Sequence, residues 1–277
     1  MKIKAYFVTY KNNDELNLTL ESFRRSGITN YDHEIKIINN APDHRVVLGN
    51  TGNLNCCIII NETRATFSTG HLSRNWNECL IDGFKNIDAP DADIVILSQN
   101  DNTFYPDFIP RLIEQHKTYS FIQNGAGDTY HSYTPDAIRK VGLWDERFCN
   151  IGYQDGDYML RQMIFNQAGS SIHDVAHGRV NNPLIENIVD YGKTSGCNRH
   201  EASHHASMRF HHISGQVFFN KWAGLYPLHV GYNGGNWDNA MLMKLKGNFK
   251  IAMPQFIMYP YFETFAVGNQ NYWQEYI

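Results

Sequence analysis

What most constrains this chain is the alternation, through its first half, of short β-branched or aromatic runs with longer segments whose apolar residues recur at helical spacing. Ile3 to Tyr10 reads as a strand, and Leu16, Leu20 and Phe23 then mark a helix that Gly27 closes. Ile35 to Ile38 and Cys56 to Ile60 are two further apolar runs. Leu72, Trp76, Leu80 and Phe84 form a stripe at intervals of four, Asp93 to Leu97 reads as a buried strand, and Pro106 to His116 as a helix opened by a proline. Strands alternating with helices of roughly 10 to 15 residues imply βαβ units. The expected class is therefore α/β, a mostly parallel central sheet flanked by helices. After about Gly178 the alternation gives way to a stretch rich in His, Asn, Gly and aromatic residues. This predicts a core over 1–178 and a C-terminal helical or irregular extension over 179–277 packed on it.

Composition excludes several functions. The 277 residues carry a net charge of −4 with no basic run of five, so no nucleic-acid partner is expected. The apolar runs fall far short of the roughly 20 residues that cross a bilayer, so no membrane span is expected. Lys11, Asp14 and Glu15 interrupt the N-terminal stretch before a signal-peptide core can form, which points to a cytoplasmic protein. Five cysteines without a Cys-x-x-Cys suggest reduced core residues. Asn17-Leu18-Thr19 and Asn61-Glu62-Thr63 match the glycosylation triplet and are read as chance. Only 19% of residues are charged, while Asn, His and Tyr supply the polarity, a balance suited to neutral hydroxylated ligands.

Ligands of mostly parallel sheets sit at the carboxyl ends of the strands. The positions of interest are therefore Thr9 to Asn12, Asn39 to Asp43, Gln99 to Thr103 and the loop reaching Asp155. Gln99-Asn100-Asp101-Asn102 places a carboxylate between carboxamides at a strand end, an oxygen site for Mg²⁺ or Mn²⁺ completed by water and phosphates. The same residues also suit an ordinary turn.

Taken in order, these segments resemble the GT-A glycosyltransferases, in particular the inverting family 2, and more broadly the stand-alone glycosyltransferases of bacteria and large algal viruses. Phe7 to Asn12 is similar to the family's first strand and donor loop, Ile37 to Ala41 to its second strand and turn, and Gly70 to Asn77 to the segment ending in Trp-Asn. Ala92 to Phe108 resembles the metal-motif strand and following helix. Val141 to Phe148 and Tyr153 to Arg161 resemble the acceptor-side motifs. The likeness covers about residues 3 to 178. It implies a UDP-sugar donor contacted by Thr9, Tyr10, Asn12, Asn39, Arg74, Asn77 and Asn100, and a divalent cation on Asp101. Asp155 would be the general base, with Asp157 beside it on the acceptor side. His177 stands where many relatives return a histidine to the metal, and as such a ligand it favours Mn²⁺ over Mg²⁺; a hydrogen-bonded surface histidine is the other reading. The acceptor would be an oligosaccharide or glycoprotein glycan, and among UDP-sugars xylose, glucose and galactose are open, xylose first. Asn39, Asn100 and Gln154 depart from the family pattern, each a carboxamide where the family usually has a carboxylate.

Three of the five tryptophans follow residue 178, and Trp222 and Trp237 are candidates to stack on acceptor sugar rings, as well as for ordinary packing. Two other classes compete with the transferase. The three carboxamides are compatible with a catalytically weak sugar-nucleotide-binding module. His200-Glu201-Ala202-Ser203-His204 is a literal zinc-peptidase motif, but Ser207 and Phe210 occupy the positions of its extended form. His211 lies roughly 10 Å further along the helix from His204, too far to share one ion. A nucleotidyltransferase would carry a Gly-rich basic loop after the first strand, which Thr9 to Asp14 is not.

Overall fold

The computed structural model describes residues 1–52, 54–61, 72–124 and 130–148, the single residues Gln154, Asp157 and Tyr158, and the segment Ile185–Asn187. The elements are β1 (Lys2–Thr9), α1 (Asn13–Arg25), β2 (Asp32–Asn39), β3 (Cys56–Ile60), α2 (Leu72–Phe84), β4 (Ile94–Gln99), β5 (Asn102–Phe104), α3 (Phe108–His116), β6 (Phe121–Asn124), β7 (Tyr130–Tyr133), α4 (Pro135–Val141) and β8 (Ile185–Asn187). The main sheet has the order β3-β2-β1-β4-β7-β6. Its first four strands are parallel, β7 runs antiparallel to β4, and β6 antiparallel to β7. The mostly parallel sheet flanked by helices is thus present. α3 begins at Phe108, two residues past the proline expected to open it.

Strand order positions the site. The chain steps outward from β1 to β2 to β3, then returns to the other side of β1 as β4. The β1/β4 boundary is a topological switch point, where diverging connections leave a crevice at the carboxyl ends.

Alternation along β1 divides the sheet into two unlike faces. Ile3, Ala5 and Phe7 enter an apolar core with Leu16, Leu20 and Phe23 of α1 and Phe108, Ile109 and Leu112 of α3. Phe104 meets Phe23 and Phe108 edge to face at 5.0 and 4.8 Å, a geometry that adds to simple burial. α1 is well delimited: Asn12 accepts from the Glu15 amide at 3.1 Å, and Gly27 takes a left-handed φ of 91° just beyond the C-cap Ser26.

The opposite face, under α2, mixes aromatic and ionic packing. Trp76, Cys79, Leu80 and Phe84 are buried there. A Cβ at Gly83 would lie 2.6 Å from Val95 Cγ2, so only glycine permits this approach of helix to sheet. Toward the amino end, fully buried Lys4 reaches Asp91 at 2.7 Å, Glu34 at 3.3 Å and the Asp82 carbonyl at 3.2 Å. Tyr6 donates to Asp82 at 2.6 Å, and Lys36 joins Asp82 and Glu34. Burial pushes the Asp82 carboxyl up, but the hydrogen bonds from Lys36 and Tyr6 outweigh it and hold the carboxyl low.

β8 pairs antiparallel with β5, matching Asn102 with Asn187 and Phe104 with Ile185. The chain beyond residue 178 therefore returns to the strand that follows Asp101. The remainder of the 179–277 extension lies outside the described residues. Among the described residues no helix is long and apolar enough to cross a membrane.

Candidate functional site

β1, β2 and β4 end at Thr9, Asn39 and Gln99, side by side at the carboxyl edge. To leave β1 and enter α1 the chain passes through Lys11, which has a φ of 54°, a conformation that costs a non-glycine residue roughly 1 kcal/mol or more. The turn is braced from across the switch point. Asn100 Nδ2 donates to Thr9 Oγ1 at 3.2 Å and to the Asn12 carbonyl at 3.3 Å. A carbonyl can only accept, so the amide nitrogen is the arm committed to this bridge. The Asn100 carbonyl accepts from Thr19 Oγ1 at 2.8 Å. Asn102 reaches back to Ser98 Oγ at 2.7 Å and closes the turn. Asp101 sits between these two amides, 4% exposed.

The end of β2 is built from amides as well. Asn39 Nδ2 donates to the His44 carbonyl at 2.8 Å, and its Oδ1 accepts from the Ala41 amide at 3.0 Å. The Asn40 main chain donates to the Thr9 carbonyl at 3.0 Å, joining the ends of β1 and β2. Asn61 donates to Asn40, which donates to Asn75 at 2.8 Å, a relay from the end of β3 to the first turns of α2. On α1, Asn13 and Asn17 hold the 45–49 segment through four bonds of 2.7 to 3.1 Å to its main chain. Asn17 of the first glycosylation triplet is thus engaged and Thr19 is wholly buried. Tyr10 is buried, with the Lys11 ammonium 5.4 Å from its ring centre and 3.6 Å from Asp43.

The remaining expected residues take other partners. Arg74 is exposed on α2, 3.5 Å from Glu78. Asn77 is buried and acts on the main chain: it accepts from the Trp144 amide at 2.7 Å and donates to the Trp144 carbonyl and Glu146 at 2.9 Å each. Trp144 in turn stacks on Tyr158 with centroids 4.3 Å apart and planes 6° apart, and Tyr158 donates to the Gly142 carbonyl at 2.9 Å. Gln154 and Asp157 are buried. Asp155, His177, Trp222, Trp237 and the His200 to His204 motif lie outside the described residues. The structure thus unites Thr9, Asn12 and Asn100 across the switch point, sets Asn39 one strand away, and gives Asn77 the task of pinning the 144–146 segment.

Thr19, Asn40 and Asn75 lie within segments singled out in the sequence but were not themselves expected as site residues. Thr19 was detectable only as a lone hydroxyl on the inward stripe of α1. Among the described residues no group of three or more His, Cys, Asp or Glu could hold a metal ion. The turn offers the Asp101 carboxylate and the amide oxygen of Asn100. That donor set fits a hard cation that takes most of its shell from water and phosphate.

No family model matches the chain, and no curated protein is similar to it in sequence. Among solved structures it is similar to Staphylococcus aureus TarS in a fragment bound to UDP-GlcNAc, at 9% identity and a TM-score of 0.47, covering 99% of this chain and 92% of that one. Of a longer TarS chain it spans only 34%. It is also similar to Drosophila beta1,4-galactosyltransferase 7 with manganese, UDP-Gal and xylobiose, at 12% identity and a TM-score of 0.41, covering 73% of this chain and 79% of that one. A third is the Pyrobaculum calidifontis mannosyltransferase with GDP-Man and Mn²⁺, at 9% identity and a TM-score of 0.40, covering 97% and 86%.

Proposed function

We propose that this chain is an inverting GT-A glycosyltransferase that moves a sugar from a UDP-linked donor to a hydroxyl of a glycan acceptor, with xylose first among xylose, glucose and galactose. The observation that carries this reading is the bridge from Asn100 to Thr9 and Asn12. It spans the switch point between β1 and β4 and sets the Asp101 turn beside the β1–α1 loop, where a nucleotide-bearing ligand of such a sheet belongs.

The chain's own residues divide the work. Thr9, Tyr10, Asn12 and Asn39 shape the donor side, and Lys11 brings the cation of that loop. Asp101, with the Asn100 amide oxygen and His177, would hold Mn²⁺ or Mg²⁺, which when bound neutralises charge developing on the departing diphosphate. Asp155 takes the proton of the acceptor hydroxyl while its oxygen attacks the anomeric carbon from the face opposite the nucleotide. A single displacement forms the new glycosidic bond as the bond to the diphosphate breaks, and the anomeric configuration inverts. Asp157 supports the acceptor side, and Trp222 and Trp237 offer faces to sugar rings.

Calorimetric titration with UDP, GDP and dTDP, followed by transfer assays with UDP-xylose, UDP-glucose and UDP-galactose, tests the reading. UDP binding and a product of inverted configuration are expected. Binding of no nucleotide would overturn it. Asp155→Asn should retain UDP affinity and lose transfer, and near-normal transfer by that variant would remove Asp155 from the mechanism. The amide hydrogen bonds that hold Asn39 and Asn100 favour one second reading, a sugar-nucleotide-binding module, which predicts UDP binding without turnover.

A further inference from the structure

We propose that Asn100 is a positioning residue whose carboxamide makes nucleotide-diphosphate binding in this crevice only weakly dependent on a divalent cation. The inference rests on the nucleotide-sugar reading above and assigns a reason for the amide at this position.

Three observations support it. First, the Asn100 amide nitrogen is engaged twice, at 3.2 Å by Thr9 Oγ1 and at 3.3 Å by the Asn12 carbonyl. A carboxylate has no hydrogen for the Asn12 carbonyl, so Asp at 100 would lose that bond and set a charge against a lone pair in a site only 6% exposed. The amide therefore holds the β1–α1 loop to the turn without any ion. Second, the turn Gln99-Asn100-Asp101-Asn102 carries one carboxylate, and cation affinity at oxygen sites rises with the charge of the ligands. Third, the neighbouring strand ends are held by neutral amides: Asn39 bonds the His44 carbonyl and the Ala41 amide, and Asn40 bonds Asn75. A diphosphate entering between β1 and β4 meets little negative charge from the described strand ends, so there is less for a cation to neutralise. Lys11, in the bridged loop itself, brings a positive charge that faces Asp43 at 3.6 Å.

The test is titration of the full-length chain with UDP, in excess EDTA and in Mn²⁺, for the wild type, Asn100→Asp and Asp101→Asn. In the wild type, Mn²⁺ should tighten UDP binding by less than about tenfold, the worth of one good charge-assisted contact. Asn100→Asp should weaken binding in EDTA by roughly fivefold or more while raising the Mn²⁺ enhancement at least about tenfold above that of the wild type, since it trades a bridge for a ligand charge. Asp101→Asn should remove the remaining enhancement. Tight UDP binding by the wild type that vanishes in EDTA would overturn the inference and leave the transferase reading standing, and this arm decides even if Asn100→Asp fails to fold. Absence of UDP binding in both conditions would overturn both. An Asn100→Asp variant indistinguishable from the wild type in both conditions would remove Asn100 from any positioning role.

Discussion

The two ends of the sheet are held together by opposite chemistry. At the amino end, Lys2, Lys4, Lys36 and Lys85 interlock with Glu34, Asp82 and Asp91 around the last turns of α2. At the carboxyl end the ties are mostly neutral, the Lys11–Asp43 pair aside: Asn12, Asn39, Asn40, Asn75, Asn100 and Asn102 bond main-chain groups, hydroxyls and one another. Both ends must satisfy buried polar groups, so burial alone does not explain the difference. A salt-bridge network suits an end that meets no ligand. Amides rigidify the other end without a net charge that an anionic ligand would have to overcome. Among the described residues, carboxylates are fewer at the strand ends where phosphate is expected than at the opposite edge.

Acid titration should break this comparison with the largest effect. Burial holds His131, boxed by Trp76, Phe121 and Trp144, down to about 3, and His116 down to about 4. Between those values and the ordinary 6.5 the unfolded chain binds more protons than the folded one. Stability should therefore fall as pH drops below 6.5, by up to about 1.4 kcal/mol per pH unit for each imidazole. The amino-end carboxylates Asp82, Asp91 and Glu34, held low by their lysines, should lose their contribution only as pH falls below the ordinary carboxylate range. Urea unfolding at several pH values would display two windows, and His131→Phe should flatten the upper one. A flat profile from pH 7 to 5 would contradict the assignment.

Lys4→Ala should cost roughly 2 to 4 kcal/mol, since it strips a fully buried cation from half-exposed carboxylates, and should leave UDP affinity unchanged. A changed affinity would mean that the two ends are coupled. Asn77→Leu should cost about 2 to 3 kcal/mol in thermal or urea unfolding, because three hydrogen bonds to the 144–146 segment are lost at once. Asn39→Asp should cost only about 1 to 2 kcal/mol, the loss of the donor to the His44 carbonyl.

Much of the architecture was legible because it is written in local periodicity. β1 to β4 and α1 to α3 follow apolar runs and stripes, and Gly27 ends α1 as its place in the pattern implied. β7 was not legible: Tyr130-His131-Ser132-Tyr133 is buried throughout, yet two of its four residues are polar and show no apolar run. The site divides in the same way. Thr9, Asn39, Asn100 and Asp101 stand at strand ends, where position alone marks them. The role of Asn100 could not be read, because its partner Thr9 is 91 residues away and an Asn after a strand looks like any turn. Asn77 was placed at the donor by resemblance, and the fold gives it three bonds to 144–146 instead of marking it by exposure.

The central claim, that the carboxyl end of β1 and β4 is a nucleotide-sugar crevice, is tested most directly by hydrogen exchange of the full-length chain with and without saturating UDP, read by mass spectrometry. Added protection is expected in peptides spanning 9–13, 39–44 and 99–103, and none around 82–93. Protection confined to the amino end, or unchanged exchange at all three strand ends under conditions where UDP is bound, would contradict it.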